Sequence, residues 1–185
     1  MVEQILTQFR FLFSKVQLTP LGVDHGLTAP PSDDPFESSG PYPELVGCFM
    51  YLMTCTHLDL AFPLSVSVRF AVSGEHRPSH QSAAKRVLKY VASTSGMGLV
   101  LGGKQPAKFT GFSDLSYADC GQTYRSSQGY GFALGTGAQR DEARIVRVAS
   151  EANTACIFTK ALPPCDHQRF YTQLGLVPAH PHLLT

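Results

Sequence analysis

Apolar positions in the first half of the chain recur at helical spacing. In Val2 to Phe13 they are Val2, Ile5, Leu6 and Phe9, which predicts a short helix that packs one face against other elements. Two longer apolar stretches, Glu44 to Met53 and Asp59 to Ala71, predict a pair of buried helices. Pro63 must then sit in the first turn of the second, where its missing N–H is tolerated. The clearest pattern runs from Ser79 to Val91: Ala83, Ala84, Val87, Leu88 and Val91 share one face, and Lys85, Arg86 and Lys89 share the opposite one.

After Gly96 and Gly98 the period changes. Leu99-Val100-Leu101 and Lys108 to Ser113 read as strands, and the intervening Gly102-Gly103-Lys104-Gln105-Pro106 predicts that they form a hairpin. Gly129 to Leu134 and Arg144 to Ala149 are two more strand candidates, and His167 to Leu174 predicts a last helix with Gly175 as its cap. Thr19 to Pro43, rich in Pro, Gly, Ser and Asp, predicts an irregular linker. The expected fold class is therefore α+β, in four parts: residues 1–41, an N-terminal helix and linker; 42–98, a helical segment; 99–176, a small sheet domain; and 177–185, a disordered tail containing His180-Pro181-His182.

Composition narrows the classes. With 185 residues, 43% of them hydrophobic, the chain can build a real core. Fifteen basic and 14 acidic residues give a charge of +1, so any polyanion binding must come from local patches. Met1-Val2-Glu3 has no basic region, and Phe9-Arg10-Phe11-Leu12-Phe13 is too short to span a bilayer; the expectation is an intracellular protein, in cytoplasm or nucleus, with no membrane partner. The five cysteines, Cys48, Cys55, Cys120, Cys156 and Cys165, form no C-x-x-C pair and read as free thiols.

Several blocks, taken in order, resemble copia-type retrotransposon Pol polyproteins. Val2-Glu3-Gln4-Ile5-Leu6 with Phe9 and Thr19-Pro20-Leu21 is similar to the segment after the polymerase palm. The similarity continues through Leu45-Val46-Gly47, Met50-Tyr51-Leu52, Asp59-Leu60-Ala61-Phe62, Ala83-Ala84-Lys85-Arg86-Val87-Leu88-Lys89-Tyr90 and Gly98-Leu99. Gly111-Phe112-Ser113-Asp114 and Arg125-Ser126-Ser127 with Gly129-Tyr130 resemble the first two strands of that family's ribonuclease H domain. Asn153-Thr154-Ala155 with Phe158-Thr159-Lys160-Ala161-Leu162 resembles its last element. The resemblance implies a helical reverse transcriptase connection segment followed by a ribonuclease H-like mixed sheet.

The same resemblance implies a damaged site. Gly137-Ala138-Gln139-Arg140 runs almost directly into Arg144-Ile145-Val146-Arg147-Val148, so the elements that bear the family's second and third carboxylates are missing and the domain is internally deleted. Cys156 stands where the fourth carboxylate belongs, Ser116 replaces a further Asp, and His57-Leu58 replaces an Arg-Pro pair. Ribonuclease H chemistry holds two Mg²⁺ ions between several carboxylates. By resemblance Asp114 is the first of these, insufficient alone, and the soft thiol of Cys156 is a poor substitute ligand. No metal site and no bound cofactor are expected, although the intact family uses Mg.

Other candidates carry less. Asp119 reads as a solvated turn carboxylate, and Tyr117-Ala118-Asp119-Cys120 only superficially suggests a polymerase palm signature, the true palm being expected upstream of Met1. His76 and His80 have a zinc-like spacing but Pro78 between them and no third ligand, and Cys156, Cys165 and His167 read as one buried and one exposed thiol beside a histidine. The basic stripe of Lys85, Arg86 and Lys89 is the candidate nucleic-acid-binding surface, for RNA/DNA hybrid or template-primer duplex. The expected function is a catalytically inactive Pol remnant that binds hybrid without sequence preference. The alternatives are a hybrid ribonuclease using Mg and completed in trans, and an inert fragment. Loss of central elements also leaves a sheet edge open to self-association.

Overall fold

The first half folds into four helices among the described residues, and the sheet structure begins only after them. The computed structural model describes residues 1–11, 15–27, 40–73, 76–99, 109–120, 123–134 and 147–178. Helix α1 spans Val2–Gln8 and is shorter than expected. Arg10 takes φ 61°, and the amides of Arg10 and Phe11 turn back onto the carbonyls of Thr7 and Leu6, at 3.1 and 2.8 Å. This closes the helix as a left-handed cap.

Helix α2 (Tyr42–Cys55) begins with Pro43 in its first turn. The stretch expected to form one helix from Asp59 splits into a 3-10 turn, Leu58–Leu60, and α3 (Ala61–Ser73), whose first turn holds Pro63. Helix α4 (Pro78–Ser93) extends the expected Ser79–Val91 at both ends. Its start is capped by the Arg77 amide donating to His80 Nδ1 at 2.8 Å. Tyr42, Leu45, Phe49, Leu52, Leu60, Val66, Val87, Leu88 and Val91 meet in one core. The expected linker is irregular over residues 19–27, where Leu21 and Leu27 are buried in the same core and Val23, Asp24 and Gly26 are exposed, while residues 28–39 lie outside the described residues.

Of the expected hairpin, residues 100–108 lie outside the described residues, and the residues that flank them pair elsewhere. Strand β1 (Met97–Leu99) pairs antiparallel with β4 (Leu176–Pro178), Gly98 opposite Val177, so the chain's two halves close on each other. Val177 and Pro178 therefore belong to a strand rather than to a tail; residues 179–185 lie outside the described residues. Strand β2 (Phe109–Ser116) pairs with β3 (Ser127–Leu134), with Ser113 opposite Tyr130 and Asp114 opposite Gly129. Both sheets are two-stranded and antiparallel, so the fold is α+β but the described sheets are not mixed. Arg147–Ala149 is not a strand and leads into a 3-10 turn at Ser150–Ala152; residues 144–146 of that expected strand lie outside the described residues. Helix α5 (Pro164–Gln173) ends, as its sequence predicts, at Gly175, which takes φ 89°.

Candidate functional site

Alternation along β2 turns Thr110, Phe112, Asp114 and Ser116 inward and Gly111, Ser113 and Leu115 outward. The inward face rests on a 3-10 turn, Thr154–Phe158. Asn153 fastens that turn: its Oδ1 accepts from the Ala155 amide at 3.2 Å, and its Nδ2 donates to the Ser113 carbonyl at 2.9 Å. The contact is close because β3 carries glycines there. A Cβ on Gly129 would lie 2.6 Å from Phe158 Cβ, and one on Gly131 would lie 2.8 Å from the Phe158 ring.

This packing brings Asp114 to the end of the turn. The Thr159 hydroxyl donates to Asp114 Oδ2, and Lys160 Nζ lies 3.2 Å from the same oxygen. Burial pushes the Asp114 pKa up, but the bonds from Thr159 and Lys160 and the Lys160 charge outweigh it and hold the carboxyl below its ordinary value. Burial likewise pulls Lys160 down, and the carboxylate more than reverses this, so its ammonium is held above the usual range. Cys156 lies against both groups, with Sγ 3.4 Å from the Ser150 carbonyl; burial and then the Asp114 charge raise its thiol pKa, which keeps it protonated.

The donor set does not fit a Mg²⁺ pair. One carboxylate, one thiol and one hydroxyl surround an ammonium, and that cation already neutralises the carboxylate. Among the described residues no group of three His, Cys, Asp or Glu side chains is disposed to hold a metal ion. Asp119 is not a solvated turn residue: Oδ2 accepts from Ser127 Oγ at 2.8 Å and Oδ1 is buried. It lines an open cleft of about 200 Å³ together with His25, Phe62, Ser116, Thr159 and Lys160.

The remaining candidates separate. His80 and His76 stack on Phe70 and Tyr42, at 3.8 and 4.9 Å between ring centres, so both rings serve as packing. Cys156 is buried and Cys165 exposed, and all five cysteines are free. His167 is wedged edge-on between Tyr90 and Tyr171, where burial lowers its pKa to about 4. Of the basic stripe, Lys85 is exposed and Lys89 half-buried, whereas Arg86 turns aside and donates to Thr19 Oγ1 at 2.9 Å.

Two features were not read from the sequence. Thr159 and Lys160 lie inside a block quoted for its resemblance, yet only the fold, across 45 residues of sequence, brings Thr159 to Asp114. Asp59, buried in the 3-10 turn between α2 and α3, accepts from the Tyr90 hydroxyl, and burial pushes its carboxyl up to about 6. A buried Tyr on the apolar edge of α4 was the available signal, since such hydroxyls need a partner.

Comparison with known proteins gives matches over parts of the chain and over nearly all of it. "Secreted RxLR effector protein 161" of Plasmopara viticola is 41% identical over 97 residues, which is 52% of this chain and 67% of that protein. The "Retrovirus-related Pol polyprotein from transposon TNT 1-94" of Nicotiana tabacum is 28% identical over 184 residues, 95% of this chain and 14% of the polyprotein. The corresponding polyprotein "from transposon RE2" of Arabidopsis thaliana is 26% identical over 189 residues, 97% of this chain and 12% of its own length. The chain belongs to the copia-type retrotransposon Pol polyprotein family. It spans a small part of those polyproteins. No family model and no solved structure matches it.

Proposed function

We propose that this Pol segment is a ribonuclease H-like remnant without catalytic activity, and that it binds RNA/DNA hybrid through α4 without reading sequence. One observation carries the first statement: Lys160 and Thr159 both engage Asp114 Oδ2, and the neighbouring position offers a neutral thiol. A divalent ion there would compete with the ammonium for the carboxylate, and one carboxylate cannot hold two such ions. A hybrid ribonuclease completed in trans would face the same obstacle.

Hybrid binding is supported by the charge of α4. Its sixteen residues contain Lys85, Arg86 and Lys89 and no carboxylate. Phosphate contacts of this kind are sequence-independent and weaken steeply with salt. Binding of a mixed-sequence RNA/DNA hybrid should lose affinity between about 50 and about 200 mM salt, and Lys85→Ala with Lys89→Ala should flatten that dependence by up to about two in logarithmic slope. An unchanged slope leaves the inert fragment as the reading.

The hairpin favours a second, independent reading. Leu115 and Tyr130 are exposed on its outward face, and among the described residues β3 pairs with β2 alone. We propose that copies of the chain associate through this face and edge. Sedimentation should show concentration-dependent association that Tyr130→Lys removes; a monomer at all concentrations rejects it.

A further inference from the structure

The segment from Lys15 to Leu21 runs alongside α4 as a strap. The Gln17 amide donates to Ser93 Oγ at 3.0 Å, and Thr19 Oγ1 accepts from Arg86 at 2.9 Å. Arg86 and Ser93 are seven residues apart and so fall on one line of the helix; Lys85 and Lys89, four apart, fall on the neighbouring line. The strap therefore borders the basic line on one side. Thr19, Pro20 and Leu21 are buried and anchor it, whereas Lys15 is exposed.

We infer that Lys15 is a third phosphate contact of this surface, and that Arg86 is a positioning residue which holds the strap through Thr19. The inference rests on the hybrid-binding reading above. Lys85 and Lys89 stand about 6 Å apart along the axis, and Ser93 lies about 6 Å further on. Lys15 is two residues before Gln17 and so lies within about 7 Å of the Ser93 level. Along the axis Lys15 thus lies no more than about 13 Å from Lys89, within the span of a few phosphates of a single strand at about 3.4 Å each. Charge complementarity names the occupant as a phosphodiester backbone: neither residues 15–21 nor α4 contains an Asp or Glu. Arg86 also accounts for the packing of the strap, since this half-buried residue donates from Nη2 to Thr19 Oγ1.

The test uses the whole chain, the same mixed-sequence hybrid and a salt titration. Lys15→Ala should lower the logarithmic salt slope by about 0.9, one phosphate's worth, with an unchanged urea midpoint. Thr19→Val should lower it by a similar amount and add nothing to Lys15→Ala, because both remove the same contact. An unchanged slope for Lys15→Ala, with Lys85→Ala/Lys89→Ala still effective, overturns the inference and leaves the binding reading intact. Additive effects of Thr19→Val and Lys15→Ala overturn the positioning role. Failure of the Lys85/Lys89 variant, or of the unaltered chain to bind, overturns the reading and the inference together.

Discussion

The helical half and the β2–β3 hairpin are stabilised in different ways. The helices share one continuous core in which Leu52 and Leu88 are wholly buried and in which the buried Tyr90 donates to the buried Asp59. The hairpin has one covered face. It is held to the Thr154–Phe158 turn by two glycines that let Phe158 approach, by Asn153, and by the Asp114 contacts with Thr159 and Lys160. Its outward face leaves Leu115 at 60% exposure. In one region apolar burial dominates; in the other, specific contacts around Asp114 do. Under the function proposed above, those same contacts compete with a metal ion for Asp114.

The contrast can be broken most directly with leucines. Leu88→Ala should cost about 2–5 kcal/mol, read from urea denaturation, because it deletes a fully enclosed side chain. Leu115→Ala should fall within about 0.5 kcal/mol. Comparable losses would show that the outward hairpin face is covered after all.

Asp59 sharpens the helical side through pH. Its native pKa, about 6, lies above the ordinary 3.8, so the folded state holds the proton more tightly and stability falls as pH rises from about 4 to about 6. The displacement corresponds to on the order of 3 kcal/mol. Asp59→Asn does not titrate, so its stability relative to the unaltered chain should rise through that window and then level off. A constant difference across the window would mean that Asp59 is not desolvated.

On the hairpin side, Gly129→Ala places a Cβ against Phe158 and Thr159 and should cost about 1–3 kcal/mol. The same change at Gly47, where an added Cβ meets nothing within 4 Å, is the control and should be neutral or stabilising. Equal effects at the two positions would detach the hairpin from the turn.

Much of the helical half was legible because burial and period agree: the apolar line from Ala84 to Val91 is the line that meets the core. The β1–β4 pairing was not, since three-residue strands show no alternation and their partners lie far apart in sequence. Asp114 could be named only through resemblance, and its partners not at all, because nothing local in Thr159-Lys160 announces a carboxylate opposite. Arg86 shows the limit of helical periodicity. It falls on the polar face with Lys85 and Lys89, yet a segment more than sixty residues earlier claims its guanidinium.

The central claim is that Lys160 and Thr159 have taken over Asp114. The direct measurement is cleavage of a labelled RNA/DNA hybrid in Mg²⁺ and then Mn²⁺, beside Asp114→Asn to expose contaminating nuclease. No cleavage above that variant is expected in either metal. Cleavage that disappears with Asp114→Asn would contradict it and show that the carboxylate still holds a working metal site.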